Sequence, residues 1–193
     1  MKRYLYIILL SLFCSVACVN GGGNNGDDDD DDAPTYDKVY DNIVGGDYED
    51  CGDFYKTDAK NWLVELYTAD YSEIVRLEIQ TPITATSFVG DYSINNSREA
   101  QSAVSGYLDD EVPCGCCWVR YGSNGGFAEC LLFVSGRISI IKTNGVYSIA
   151  LEAITSNGKK VCLYYNGEMS SWGRSDKGIS MRAALRDLCL AEL

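Results

Sequence analysis

The chain has 193 residues, a formal net charge of −12, 46% hydrophobic and 11% aromatic content, nine cysteines and no histidine. An acidic chain with no basic stripe is a poor partner for a phosphate backbone, so nucleic acid is not expected as a ligand. The absence of histidine removes Ser-His-Asp and Cys-His catalysis, histidine-based zinc chemistry and histidine pH switching.

The first segment reads MKRYLYIILLSLFCSVAC, with Lys2 and Arg3 ahead of an apolar run from Tyr4 to Ala17. At about fourteen residues this run is shorter than the roughly 20 a membrane-spanning helix needs, and it ends in the small pair Val16-Ala17. The pattern predicts a signal peptide over 1–17. Ser15-Val16-Ala17-Cys18 resembles the lipobox of bacterial lipoproteins, with Ser15 in place of the usual leucine, and the resemblance implies lipidation of the Cys18 thiol. The competing reading is an ordinary secreted protein with a fortuitous cysteine. Residues 18–35 carry glycines, asparagines and the run Asp27 to Asp32, which bury nothing and repel one another, so an extended solvated tether is expected. A calcium loop is disfavoured because the aspartate run lacks alternating ligands and a turn glycine. The tether resembles the acidic segment that follows the lipidated cysteine in Bacteroidetes lipoproteins. That resemblance implies an outer-membrane, cell-surface location with the membrane as a partner through the lipid. Loss of Lys2 and Arg3 takes the charge from −12 to −14, and the six aspartates carry −6 of it, which leaves −8 on a single domain over 36–193.

Within that domain the pattern is mostly period two. Trp62, Val64 and Leu66 alternate with Leu63, Glu65 and Tyr67, and Val75, Leu77 and Ile79 alternate with Arg76, Glu78 and Gln80. The short link Ala69 to Ser72 makes these an antiparallel hairpin. Gly90 to Ile94 reads as a short strand, Asn95 to Val112 as a loop, and Trp118 to Tyr121 and Phe127 to Val134 as two strands. A meander follows, from Arg137 to Ile140, through Asn144-Gly145 to Tyr147, Ile149 and Leu151, and through Asn157-Gly158 to Val161, Leu163 and Tyr165. Met181, Leu185, Leu188 and Cys189 then fall at helical spacing, predicting a C-terminal helix from about Ser180 to Ala191. The expected fold is all-β, an antiparallel meander closed into a barrel or sandwich of about 8–10 strands, with that short helix at its end.

The segments NWLVELYTADYSEIVRLEI, FVGDYSI and GRISIIKTNGVYSIALEAITSNGKKVCLYYNGEM, together spanning about Phe54 to Met169, resemble a repeat of uncharacterised Bacteroidetes lipoproteins. The resemblance rests on turn and core signatures and carries no site residues. The Cys114-Gly115-Cys116-Cys117 stretch and the C-terminal helix depart from it.

Outside the signal and the lipidated Cys18, seven cysteines remain: Cys51, Cys114, Cys116, Cys117, Cys130, Cys162 and Cys189. In an oxidising compartment they are disulfide candidates, and an odd number leaves at least one over. Two alternatives compete: a metal site of Cys114, Cys116, Cys117 and Cys130, and a redox pair. The first lacks a second paired knuckle and the second lacks a following helix, so no metal or cofactor is expected. Asp109-Asp110-Glu111 and Asp47, Glu49 and Asp50 supply carboxylates for a glycosidase, but adjacent loop residues give no reason for opposed faces, and solvated loops are expected instead. Trp118 and Trp172, the latter followed by Arg174 and Asp176, are the candidate aromatics for stacking on a sugar ring, against the favoured reading in which Trp172 folds back onto the C-terminal helix. The resulting expectation is a non-catalytic surface lipoprotein that binds a glycan or a host macromolecule. An envelope assembly subunit and a carboxylate-based glycoside hydrolase are its rivals.

Overall fold

The computed structural model describes residues 34–123 and 125–171, which leaves the signal, Cys18, the aspartate run, Trp172, Arg174, Asp176, Cys189 and the predicted C-terminal helix outside the described residues. Among the described residues thirteen strands form: β1 (Lys38–Tyr40), β2 (Gly45–Gly52), β3 (Ala59–Tyr67), β4 (Glu73–Pro82), β5 (Gly90–Asn95), β6 (Ser102–Val104), β7 (Tyr107–Asp109), β8 (Val112–Cys114), β9 (Cys117–Tyr121), β10 (Phe127–Thr143), β11 (Val146–Thr155), β12 (Lys160–Glu168) and β13 (Ser170–Ser171). The fold is all-β, as the alternation predicts.

The expected hairpin forms between β3 and β4, with Trp62 opposite Ile79 and Tyr67 opposite Ile74. The expected meander forms as β10, β11 and β12. At its first turn Asn144 and Gly145 both take left-handed backbone, φ 53° and 90°, which matches the twist of the flanking strands. At the second turn only Gly158 does, at φ 81°.

Closure comes from the connections between these two units. β9 pairs with the start of β4 and the start of β10, while β6 and β5 bridge the same two strands further along. β12 runs on into β13, whose Ser170 and Ser171 pair in parallel with Asp47 and Tyr48 of β2. The sheet thereby returns to its own first edge as a barrel-like ring, and β1 lies in parallel along the start of β12. Inside lie Trp62, Val64, Leu66, Val75, Leu77, Ile79, Trp118, Phe133, Ile138, Ile140, Ile149, Leu151 and Leu163, all buried.

Three expectations change. Residues 127–134 and 137–140 belong to one 17-residue strand, β10, whose register against β11 shifts between Phe133 and Ser135, and Gly136 just past that bulge takes φ 142° where a Cβ would meet Ala153 Cα at 2.7 Å. The expected loop from Asn95 to Val112 contains β6 and β7, too short to show alternation. Asp47, Glu49 and Asp50 stand on β2 instead of a loop. Its polar composition hides it, and register with β3 defines it.

Candidate ligand-binding surface

Outward side chains of β3, β4, β9 and β10 build a second apolar cluster on the barrel's exterior. Ile74, Cys117 and Val119 are buried at its centre, with Tyr67, Tyr121, Phe127, Cys130 and Leu132 packed around them. Strand parity explains the membership: Trp118 points inward, so Cys117 and Val119 on either side of it point out, and Tyr121 follows two residues later.

This parity corrects the expectation for Trp118. Its indole is 1% exposed, its Nε1 donates to Glu73 Oε2 at 2.9 Å, and Lys38 Nζ stands 3.3 Å from the ring centroid. A side chain so placed closes the core and offers no platform to a sugar. Trp172, Arg174 and Asp176 lie outside the described residues.

The aromatic surface that sequence reasoning missed is Tyr67 and Tyr71, stacked with centroids 4.5 Å apart and 28° between planes. Tyr71 is 49% exposed and sits in the β3–β4 turn at φ 58°, a left-handed conformation that a bulky residue rarely adopts. Asp70 holds that turn. Its Oδ1 accepts from Thr68 Oγ1 at 2.7 Å, from Ser72 N at 3.1 Å and from Ser72 Oγ at 2.8 Å. The Thr68 bond, followed by the two from Ser72, holds the carboxyl down at about 2. Beneath the pair, Gly45 leaves room for the Tyr67 ring: a Cβ there would meet Tyr67 Cζ at 2.9 Å. Tyr121 N donates to Ser72 O, and Tyr121 itself lies 5.4 Å from Phe127, so a second aromatic pair borders the first. Asp70-Tyr71-Ser72 was visible in the sequence as a turn; that it presents a ring depended on its backbone conformation.

The carboxylates that could serve hydrolysis are elsewhere and enclosed. On the outer face of β3 and β4, Glu65 lies opposite Arg76, and Glu78 is diagonal to it. Diagonal side chains stand about 7–8 Å apart, within the range of a glycosidase pair. Both are buried, however, at 3% and 7% exposure. Arg76 donates to Glu65 Oε1 through Nε at 3.1 Å and Nη2 at 2.8 Å, and its Nη1 donates to Pro113 O. Glu78 Oε1 accepts from Tyr55 at 2.6 Å and Asn61 at 3.0 Å, and burial pushes its carboxyl above the usual range. Gln80 continues the chain by donating to Asn61 Oδ1. Over this network Arg98 stacks on Tyr55 at 4.2 Å, and Thr57 Oγ1 donates to Arg98 O. Four of the eight non-glycine residues at positive φ among the described residues lie in the segments around Tyr55 and Arg98: Lys56, Asp58, Arg98 and Gln101. The strain belongs to a cover over a buried polar layer. Asp110 and Glu111 are the exposed tip of the β7–β8 hairpin, adjacent residues of one tight turn.

Strand parity also divides the cysteines. Cys116 joins the main core and Cys117 the outer cluster, so the CGCC stretch does not converge on one point. Among the described residues no group of three or more His, Cys, Asp or Glu side chains is arranged to hold a metal. Cys116, Cys117 and Cys130 carry free thiols, which corrects their expected place in disulfides. Cys117 lies opposite Leu132 and Cys130 opposite Val119, so the two are diagonal and about 7–8 Å apart where a disulfide needs Cβ atoms at about 3.5–4.5 Å. Burial pushes the Cys117 thiol up to about 12 and Cys116 higher still, which leaves both as inert packing groups. Cys114 and Cys162 are buried and Cys51 is half-buried.

No protein-family model, curated protein or solved structure matches this chain. A functional reading therefore rests on these surfaces alone.

A groove of about 410 Å³ between β10, β11 and the chain entering β1 is lined by Tyr36, Arg137, Glu152, Ile154 and Lys160. Its carboxylate is occupied: Glu152 accepts from Tyr36 at 2.8 Å and from Arg137 at 2.7 Å. The arrangement fastens the incoming chain to the barrel.

Proposed function

We propose that this protein is a non-catalytic lipoprotein, anchored through Cys18 to the outer membrane and exposed at the cell surface, which captures an extracellular glycan. The supporting observation is Tyr71, half exposed, held at φ 58° by the Asp70 turn and stacked on Tyr67. An aromatic face matches the C–H face of a pyranose, and a rigid turn presents it at low entropic cost. Asp70 and Ser72 stand beside it to bond hydroxyls. The enclosure of Glu65 and Glu78 argues against hydrolysis, since neither carboxylate reaches a bound sugar.

A glycan array with the full chain tests this reading, comparing wild type, Tyr71→Ala and Trp172→Ala. Glycan binding that falls at least tenfold in Tyr71→Ala supports it. Absence of any glycan ligand, or binding indifferent to Tyr71, overturns it. Cys18→Ser tests the address: the anchored protein is expected in the membrane fraction and the variant in the soluble fraction.

A second reading, a host-protein receptor or envelope assembly subunit, draws on Val44 and Leu108, which are 62% and 54% exposed. Crosslinking on intact cells separates the two, because an assembly subunit yields a discrete conjugate through these residues and a glycan receptor does not.

A further inference from the structure

The barrel end opposite the Tyr71 turn is filled in an unusual way. Tyr48 of β2, Trp62 of β3 and Tyr147 of β11 form an aromatic box, yet the ring inside it comes from no strand. Phe88, in the segment between β4 and β5, is fully buried there, with centroids 5.0 Å from Tyr48, 5.5 Å from Trp62 and 5.2 Å from Tyr147, the last parallel to within 2°. The box wall has its polar atom satisfied, since Trp62 Nε1 donates to Thr81 Oγ1.

The segment that delivers Phe88 has little else to hold it. Among the described residues the hydrogen bonds of 83–89 are local: Ala85 N to Pro82 O, Val89 N to Ser87 Oγ, and Tyr92 OH to Phe88 O. Its other apolar side chains, Ile83 and Val89, are 44% and 42% exposed. Phe88 is its one fully buried anchor.

Lys142 stands at the rim. Its Nζ donates to Tyr147 OH at 3.0 Å and lies 4.5 Å from that ring's centroid. No described carboxylate lies within ion-pair distance of it, although the chain as a whole carries −12.

We propose that this barrel end is a binding pocket for a small aromatic carboxylate, with Phe88 as its displaceable plug and Lys142 as the carboxylate's partner. The ligand's ring takes the seat of the Phe88 ring between Tyr147, Tyr48 and Trp62, while the β4–β5 segment moves outward into solvent. The mouth of a β-barrel, apolar with a few placed charges, is a recurrent position for such sites, and here Lys60, 5.4 Å from the Trp62 ring, is already paired with Asp50 at 3.0 Å, which leaves Lys142 for the ligand. Because the plug must leave first, wild-type affinity is lowered by the fraction of molecules that are open.

Phenylacetate, whose benzyl group reproduces the Phe88 side chain, is the probe, and 2-phenylethanol is its neutral counterpart. Titration of the full chain in detergent, by calorimetry and tryptophan fluorescence, is expected to give measurable phenylacetate binding to wild type. Phe88→Ala is expected to bind at least tenfold more tightly. Lys142→Met is expected to lose about tenfold for phenylacetate and nothing for 2-phenylethanol. Binding to Phe88→Ala alone, with none to wild type, overturns the proposal by making Phe88 a permanent core residue. Unchanged phenylacetate affinity in Lys142→Met overturns the assignment of the carboxylate. Should Phe88→Ala fail to fold, Phe88→Leu keeps an apolar filler and must still tighten binding; equal affinity overturns the plug. Tyr71→Ala, at the opposite end, leaves phenylacetate binding unchanged, so failure of the glycan reading and failure of this one are separately visible.

Discussion

Glu78 is the residue whose replacement most directly tests the account of the covered polar layer. Its carboxyl is buried, accepts hydrogen bonds from Tyr55 and Asn61, and is raised above its ordinary value by burial, with those bonds and the Arg76 and Arg98 charges opposing the rise. A raised carboxyl means that the folded state holds its proton at a pH where the unfolded chain has released it. Folding stability therefore falls as pH climbs above the unfolded value, near 4.5, by up to about 1.4 kcal/mol per pH unit, and levels off above the folded value. Glu78→Gln keeps an oxygen for Tyr55 and Asn61 and removes the titration. Urea unfolding at intervals from pH 4 to pH 8 is expected to show the variant gaining on wild type as pH rises. Glu78→Leu strips both donors of their acceptor and is expected to cost about 2–6 kcal/mol at pH 4, from about 1–3 kcal/mol for each stranded group, and less at higher pH where wild type itself loses stability. A wild-type minus Gln difference that stays flat across this range would refute the reasoning, since it would mean that Glu78 ionises in the folded protein as freely as in water.

Three further expectations follow from the same geometry. Arg76→Met leaves the Glu65 carboxylate buried without the two N–H donors to its Oε1 and is expected to cost about 3–5 kcal/mol in denaturant unfolding, far more than loss of the exposed Arg120–Glu129 pair, worth about 0–1 kcal/mol. Gly136→Ala forces a Cβ into the β11 backbone at Ala153 and makes the residue adopt φ 142°; a Tm drop of at least about 8 °C is expected by calorimetry, and a neutral result would contradict the close approach of the two backbones there. Alkylation of the native protein with iodoacetamide, read by mass spectrometry, is expected to modify the half-buried Cys130 while sparing Cys116 and Cys117, and rapid labelling of Cys117 would show that the outer cluster is open.

The sequence by itself determined the strand content and the two local units. Alternation over Trp62 to Tyr67 and Val75 to Gln80 specifies a hairpin, and Asn144-Gly145 specifies the first turn of the meander, because period-two burial and left-handed turn residues act over a few neighbouring positions. Tertiary structure decided what those units enclose. The ring closes through Ser170 and Ser171 against Asp47 and Tyr48, a pairing across more than a hundred residues that leaves no mark on either partner's sequence. Trp118 is flanked on both sides by residues that are also buried, Cys117 and Val119, so its face could not be read from alternation; pairing with Val75 turns it inward. Glu65 and Glu78 occupy the polar positions of their strands and read as solvent-facing, yet Tyr55 and Arg98 from distant segments cover that layer. Tyr71 reads as an ordinary turn residue, and only the hydrogen bonds converging on Asp70 hold its ring out beside Tyr67. Each of these outcomes depends on chain segments brought together by folding, and local sequence carries no signal for which segments those are.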